Sequence, residues 1–144
     1  MISTETKVND TGSFNLPHAV VTTAAIPTNA SESMTYTNFL PFPSDKVFYF
    51  LHFSEVQVLG ANETREFDIL LNGKFIAESY RPEYMQPKTV LNSYPVTCGE
   101  GKCMFELRKT ERSTLPPLLN AVELYIVVET PQAETNENDG TFLS

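Results

Sequence analysis

The sequence of 144 residues contains no tryptophan, only two cysteines and only ten basic side chains, and it has no long apolar run. The ten Lys and Arg stand against eighteen Asp and Glu, which gives a net charge of −8 at pH 7. Such a chain lacks the basic surface by which proteins bind nucleic acid or an anionic membrane. No segment approaches the roughly 20 apolar residues of a membrane-spanning helix, and the first ten residues lack the basic and apolar regions of a secretory signal. We therefore expect neither membrane insertion nor a signal peptide within this sequence.

The common catalytic motifs are also missing: there is no Gly-x-Ser-x-Gly, no His-Glu-x-x-His and no phosphate-binding loop. A zinc site needs four ligands, and the chain has no cysteine beyond the two. One enzyme hypothesis rests on Glu66 and Asp68, which share a strand face about 6–7 Å apart and could in principle act as a glycosidase pair. Solvated strand carboxylates are the alternative, and we favour it. His18 and His52 are expected to be structural, so we predict no enzyme, no cofactor and no metal.

Strand-like segments dominate the rest of the sequence. Turn residues recur between them about every 8 to 15 positions, which predicts an all-β sandwich or barrel. Residues 1–132 are expected to form this single domain and residues 133–144 a polar tail. The strand-like segments are 19–27, 46–59, 65–76, 89–96, 103–110 and 120–128.

Local signals predict three features of the fold. Asn72-Gly73 between alternating segments predicts a two-residue type I′ hairpin with positive φ at both residues. Pro116-Pro117 removes two backbone donors ahead of the last strand, which predicts a stiff, extended lead-in that crosses from one layer to another. The apolar strand faces predict a buried core. Its members are Phe50, Phe53, Phe67, Ile69, Leu107 and Leu124.

A family resemblance is carried by several segments that occur in a fixed order. They are "FYFLHFSEVQ" (48–57), "NETREFDILLNG" (62–73), Cys-x-x-Gly-x-Cys (98–103), "LRKTERSTLPPLLNAVELY" (107–125) and "PQAETNEND" (131–139). Over residues 3 to 139 the chain resembles the second half of the malectin-like extracellular domain of plant leucine-rich-repeat receptor-like kinases. The resemblance implies a jelly-roll-like antiparallel β-sandwich of the carbohydrate-binding-module type. Since the family carries two such modules in tandem, then leucine-rich repeats, a membrane span and a kinase, we expect a fragment or a truncated form without kinase.

The resemblance also implies a non-catalytic recognition module of the plasma-membrane exterior or the secretory pathway. Its ligand is expected to be a cell-wall carbohydrate or a peptide, and its partners a preceding malectin-like module or a co-receptor. The alternative is a structural spacer without a ligand of its own. Sugar recognition uses aromatic faces, for which the candidates are Tyr80 and Tyr84 in the loop 78–87, with Tyr36 and Phe39 before the long strand. For each of them an ordinary half-buried aromatic is the alternative.

Two covalent features are expected of an exported form. Cys98 and Cys103 bracket a four-residue loop between strand-like segments and are candidates for a disulfide, with reduced thiols as the alternative in a cytosolic protein. Asn9, Asn29 and Asn62 begin Asn-x-Ser/Thr triplets, and Asn62, in a turn between strands, is the best placed for glycosylation. A module parted from its neighbour exposes apolar surface, so we expect the isolated chain to self-associate or to express poorly in a reducing host.

Overall fold

The computed structural model describes residues 2–3, 23–27 and 33–128, and strands dominate this part of the chain. A 3-10 turn at Gly99–Gly101 is the one helical element within the described ranges. The strands, in chain order, are β1 (Ile2–Ser3), β2 (Thr23–Ala24), β3 (Met34–Phe39), β4 (Lys46–Phe53), β5 (Phe67–Leu71), β6 (Lys74–Tyr80), β7 (Lys88–Leu91), β8 (Val96–Thr97), β9 (Lys102–Lys109) and β10 (Ala121–Ile126).

Two four-stranded antiparallel sheets form the body of the fold. The first sheet has the order β3-β9-β5-β6, and the second has the order β10-β4-β7 with β8 also paired to β4. Rings from the two sheets meet between them: Tyr49 of β4 packs edge-on against Phe105 of β9, with centroids 5.3 Å apart. Phe53 of β4 lies 5.5 Å from Phe67 of β5. The predicted all-β sandwich is therefore confirmed.

The core follows the alternation along the strands. In β4 the odd-numbered residues from Val47 to Phe53 point inward and are buried. Of the predicted core, the fully buried members are Phe53, Phe67, Ile69 and Leu107. Leu124 is half-buried and packs against the same core. The prediction for Phe50 is wrong, because β4 is apolar on both faces and Phe50 lies on the outer one, half-buried and edge-on to Tyr125.

The hairpin and the proline lead-in agree with expectation. Leu71 pairs with Lys74 across a two-residue loop, and φ is positive at Asn72 (47°) and Gly73 (85°). The segment from 110 to 120 leaves β9 in the first sheet and enters β10 in the second, with Pro116 and Pro117 buried on the way. The prolines therefore occupy the predicted crossing between the two layers.

Some strand predictions differ in extent from the structure. The long segment 46–59 is a strand only as far as Phe53. The backbone N–H of the next residue, Ser54, donates to the side-chain oxygen of Asn120 instead of to a neighbouring strand. Of the segment 19–27, strand structure is described at Thr23–Ala24. His18 and the tail 133–144 lie outside the described residues.

Candidate functional site

The sandwich has two ends with different chemistry. We call one the arginine end, made of the loops 54–66, 81–87 and 110–120. The other is the disulfide end, made of the segments 40–45, 72–73, 92–101 and 127–128. Strand register sets them apart: His52 and Phe53 of β4 adjoin the first, and Lys46 of β4, paired with Thr97, adjoins the second.

A buried ion pair fixes the arginine end. Arg65 Nε donates to Glu55 Oε1 over 2.6 Å, and both side chains are 2% exposed. The remaining guanidinium nitrogens donate to the Pro116 carbonyl at 2.7 Å and to Gln57 Oε1 at 2.8 Å. Glu55 Oε2 in turn accepts from the backbone N–H of Val56 and Gln57. A buried charge needs this degree of pairing, and the group links the loop 54–66 to the loop 110–120.

A second carboxylate at the arginine end, Glu66, is also held by several donors. Its side chain is 2% exposed; Thr110 Oγ1 donates to one oxygen at 2.7 Å, and Arg81 Nε donates to the other at 2.7 Å. Arg112 Nε lies 3.3 Å from the first oxygen. The hydrogen bonds from Thr110 and Arg81 hold the pKa of Glu66 below its ordinary value of 4.5, although burial opposes them.

This environment argues against the glycosidase hypothesis. A glycosidase acid must carry a proton near neutral pH, which requires a raised pKa, and that of Glu66 is lowered. Asp68 Oδ1 accepts from the backbone N–H of Ser79, which has a positive φ of 52° in an irregular part of the β5–β6 pairing. Asp68 therefore supports backbone geometry, whereas Glu66 bonds to side chains of neighbouring loops. The solvated strand carboxylates favoured from the sequence correspond to Asp68 better than to buried Glu66.

The disulfide end is built around the β5–β6 hairpin and the loop beside it. Cys98 and Cys103 form a disulfide with Cα atoms 5.1 Å apart. The Asn72 side chain bridges hairpin and neighbour strand: Nδ2 donates to the Lys102 carbonyl, and Oδ1 accepts from the Met104 N–H. Gly101 has a φ of 70° and packs closely against Pro43. A Cβ at this position would lie 3.3 Å from the Pro43 Cα. Covalent and backbone contacts thus set the shape of this end.

A pocket of about 410 Å³ opens at the disulfide end between the two sheets. This volume lies in the range of small-ligand sites. The sequence did not indicate it, because three separate stretches of chain form its walls, and no local pattern shows that they meet. The lining residues are Tyr49, Leu71, Asn72, Lys74, Ile76, Val96, Thr97 and Gly99.

Exposed apolar side chains gather at the same end. Phe39 is 73% exposed at the end of β3, and Tyr94 is 80% exposed in the loop before β8. Phe42, Phe75 and Val128 are exposed there as well. The arginine end shows fewer such groups among the described residues, chiefly Val58 and Tyr84. Exposed apolar groups and a pocket at the same end of a domain are typical of a binding surface.

The four aromatic candidates do not form one site. Phe39 pairs with Lys102, whose Nζ lies 5.9 Å from the ring, whereas Tyr80 pairs with Phe67, which is opposite Lys109. Lys102 and Lys109 are seven positions apart along β9, which corresponds to about 23 Å of strand.

Two of the four rings belong to the protein interior. Tyr80 packs against Phe53 and Phe67 at centroid distances of 4.9 and 5.7 Å, and burial raises its pKa to about 12. Tyr36 is half-buried against the core, opposite Phe105. Tyr84 is 38% exposed at the arginine end, which leaves Phe39 as the one candidate at the disulfide end.

His52 belongs to a hydrogen-bonded chain that the sequence did not indicate. It is fully buried on the outer face of β4, where Nδ1 lies 2.8 Å from Thr89 Oγ1 and Nε2 lies 2.7 Å from Glu123 Oε1. Tyr125 donates to the other oxygen of Glu123 at 2.5 Å, and the bonds from Tyr125 and His52 lower the pKa of that carboxyl. These hydrogen bonds connect β7, β4 and β10, so the expected structural role of His52 fits its surroundings.

The described residues supply few groups for other chemistry. Asn62 is exposed in the turn that follows Gly60, while Asn9 and Asn29 lie outside the described residues. Within the described ranges no three His, Cys, Asp or Glu side chains gather as a metal site would require. The same ranges contain no helix of the length and apolarity needed to cross a membrane.

Comparison with known sequences identifies relatives over almost the whole chain. A putative receptor-like protein kinase of Arabidopsis thaliana is 49% identical over 138 residues, which cover 96% of this chain and 16% of that protein. The probable LRR receptor-like serine/threonine-protein kinase MEE39 of the same plant is 44% identical over 137 residues, with 94% of this chain and 16% of the relative covered. The chain thus spans only about a sixth of the length of these relatives.

Comparison with solved structures shows the same fold at low sequence identity. The ANX2 ectodomain from Arabidopsis thaliana gives a TM-score of 0.69 at 15% identity, covering 89% of this chain and 40% of that one. A structure of the plant peptide RALF23 in complex with FER and LLG2 gives 0.66 at 20% identity, covering 87% and 38%. The sequence profile described as the malectin-like domain matches residues 1–127. The chain therefore belongs to the malectin-like domain family.

Proposed function

We propose that this chain is an extracellular, non-catalytic recognition module of a receptor-like kinase, and that it binds a carbohydrate or peptide ligand at the disulfide end. The pocket between the sheets carries the proposal, because it opens at the end of the sandwich that also exposes aromatic groups and has few side chains committed to ion pairs. At the arginine end, by contrast, Glu55 and Glu66 are engaged with guanidinium groups. The domain is taken to be residues 1–132, acting as one part of a longer receptor or as a form without kinase.

Relatives are consistent with such a role. The sequence relatives are named as receptor-like kinases, and a solved structural neighbour is a complex that contains the peptide RALF23 with FER and LLG2. A peptide or a carbohydrate from the cell wall remains the proposed ligand class. A preceding malectin-like module or a co-receptor is the proposed protein partner.

The test compares the two ends of one molecule. Protein secreted from a eukaryotic host is screened on a glycan array and against a displayed peptide library. Phe39→Ala and Tyr94→Ala truncate exposed rings at the disulfide end, and Val58→Ala, 77% exposed at the arginine end, is the matched control. We expect the first two variants to weaken binding of any captured ligand at least threefold and the control to leave it unchanged. Equal effects at both ends would contradict the assignment, and no ligand in either screen would favour the spacer alternative.

We also propose that Asn62 carries an N-linked glycan in the secreted protein. The Asn62-Glu63-Thr64 triplet lies in an exposed turn at the arginine end, so a glycan there would leave the disulfide end open. Treatment of the secreted protein with an amidase specific for N-glycans is expected to lower its apparent mass, and Asn62→Gln should remove the part of that shift due to this site. An unchanged band pattern for Asn62→Gln would show that the site is not used.

A further inference from the structure

The walls of the pocket suit an aliphatic side chain better than a sugar ring. Leu71, Ile76 and Val96 supply branched aliphatic groups. Tyr49 is only 5% exposed and is held edge-on to Phe105, so its ring is not presented as a stacking platform. Sugar recognition needs an open aromatic face, which these walls do not provide, and one of their polar side chains, Asn72, is already bonded to Lys102 and Met104.

The pocket adjoins an edge of the first sheet. Within the described residues β6 pairs only with β5, so its other side is an open edge. Leu71 and Lys74 close the two-residue hairpin as a hydrogen-bonded pair, and the next pair, Leu70 with Phe75, is therefore of the non-hydrogen-bonded kind. The N–H and C=O of Phe75 consequently point away from β5, where an added strand can bond to them.

The position of this edge relates an added strand to the pocket. In a strand paired with Phe75, the residue opposite Phe75 points outward with the exposed Phe75 ring. Lys74 and Ile76, on either side of Phe75, both line the pocket, and Ile76 is the extra residue of a β-bulge between the Leu70–Phe75 and Ile69–Ala77 pairs. The residues of an added strand that lie opposite Lys74 and Ile76 are therefore on the pocket side. Two side chains of the added strand, two positions apart, therefore face the pocket.

Charge distinguishes these two inward positions. Lys74 is the one charged side chain among the described residues that line the pocket, in a chain whose net charge is −8. An inward residue opposite Ile76 meets aliphatic walls, whereas one opposite Lys74 meets a cation. The complementary pair is an aliphatic residue and an acidic residue.

We propose that the β6 edge and the adjoining pocket bind an extended peptide in which an aliphatic residue and an acidic residue stand two positions apart. The peptide adds a strand beside Phe75, its aliphatic side chain enters the pocket, and its carboxylate pairs with Lys74. This inference rests on the proposed function, since it names the ligand class of the same end.

Defined peptides test the proposal without knowledge of the natural ligand. The probes are Ac-Thr-Leu-Thr-Asp-Thr-NH2 and its reverse, Ac-Thr-Asp-Thr-Leu-Thr-NH2, because the strand direction is open. We expect at least one of them to bind the secreted protein in an NMR titration, with shifts confined to the disulfide end. Replacing the peptide leucine with alanine should weaken binding about tenfold, the effect of losing a buried leucine side chain. The control Ac-Thr-Leu-Asp-Thr-Thr-NH2, with the two groups adjacent, should bind more weakly than the better probe.

Protein variants test the same geometry from the other side. Thr97→Trp places a bulky ring at an exposed position in the pocket wall and should weaken peptide binding at least tenfold, while Glu111→Trp, exposed at the arginine end, should not. Lys74→Glu should weaken binding of the aspartate-containing probe and strengthen binding of a probe with lysine in place of aspartate. Because Lys74 is exposed, this variant remains informative if Thr97→Trp does not fold.

The outcomes separate this inference from the proposed function. Failure of both probes to bind, or binding insensitive to Thr97→Trp and Lys74→Glu, would overturn the peptide inference. Binding of maltotetraose that is lost in Thr97→Trp, without peptide binding, would also overturn it but would retain the disulfide end as a recognition site. Ligand binding that Glu111→Trp abolishes and Thr97→Trp spares would overturn both.

Discussion

At the arginine end the loops are joined by charged side chains that are almost completely buried, with Arg65 and Glu55 each 2% exposed. At the disulfide end the segments are joined by a disulfide, a tight hairpin and an asparagine bridge. Arg65 joins its own loop to Pro116, and Glu66 contacts side chains of two other loops, so one substitution there disturbs several contacts. The disulfide end keeps Phe39, Phe42 and Tyr94 exposed and also holds an open pocket. Exposed aromatic groups favour association. The difference suggests that one end fixes the sandwich and the other is available to a partner.

The largest expected effect comes from breaking the buried pair at the arginine end. Arg65→Met leaves Glu55 charged, buried and without its main partner, and should lower the free energy of unfolding by about 3–5 kcal/mol. Lys74→Met removes an exposed cation at the disulfide end and should change it by less than about 0.5 kcal/mol. Urea unfolding followed by far-UV circular dichroism measures both. The double variant Glu55→Gln/Arg65→Met should lose less than Arg65→Met alone, and similar losses for Arg65→Met and Lys74→Met would erase the contrast between the ends.

The next effect concerns acid. Because the pKa of Glu66 is lowered in the folded protein, its contribution to stability is complete above the ordinary value of 4.5 and is lost as pH falls through the folded value. Glu66→Gln should destabilise the protein by about 2 kcal/mol at pH 7, the order of a hydrogen bond to a charged group. The difference between wild type and variant should shrink below pH 4.5. A difference that stays constant from pH 7 to pH 3 would show that the charge of Glu66 does not contribute.

The features that were predictable from the sequence are those determined by neighbouring residues. Asn72-Gly73 specifies its own turn, and Pro116-Pro117 excludes a ladder regardless of the rest of the chain. Phe50 was harder, because "KVFYFLHF" is apolar on both faces and alternation alone does not say which face meets the other sheet.

The candidate site was largely unpredictable for a related reason. Tyr49 and Gly99 both line the pocket although 50 positions separate them, so only the sheet register brings them together. The buried pair of Glu55 and Arg65 was equally hidden, since a charged residue in a loop is usually solvated. Of the four aromatic candidates, Phe39 is the one at the disulfide end, and its role in binding stays a prediction.

The disulfide should matter less than the buried ion pair. Cys98 and Cys103 close a short loop, for which chain entropy predicts about 2 kcal/mol of stabilisation. Cys98→Ser/Cys103→Ser should therefore lower the unfolding free energy by about that amount, and wild type made in a reducing cytosol should associate more than secreted wild type in size-exclusion chromatography. A stable monomer from the reducing cytosol would show that the disulfide end needs neither the covalent bond nor a covering partner.

A smaller effect is expected at the hairpin. Gly73 has φ of 85° with free space where a Cβ would lie, so Gly73→Ala costs only the backbone strain, about 1 kcal/mol. Gly60→Ala at the arginine end places its Cβ 3.5 Å from Glu63 Oε1, an ordinary contact, and should be neutral or slightly stabilising. Thermal unfolding of the two alanine variants gives the comparison. Equal losses would mean that the turn at Asn72-Gly73 does not require its left-handed conformation.

The smallest change in stability is expected from exposed apolar groups, and there the two ends should differ in association instead. Tyr94 and Val58 are 80% and 77% exposed, so truncation of either to alanine removes little buried area and should change the unfolding free energy by less than about 0.5 kcal/mol. Tyr94, however, shares the disulfide end with Phe39 and Phe42, whereas Val58 stands apart from that group. If the aromatic group is the surface through which isolated chains meet, Tyr94→Ala should shift sedimentation towards monomer and Val58→Ala should not. The same shift from both variants would assign association to general exposure, and the distinction between a fixed end and a binding end would lose its support.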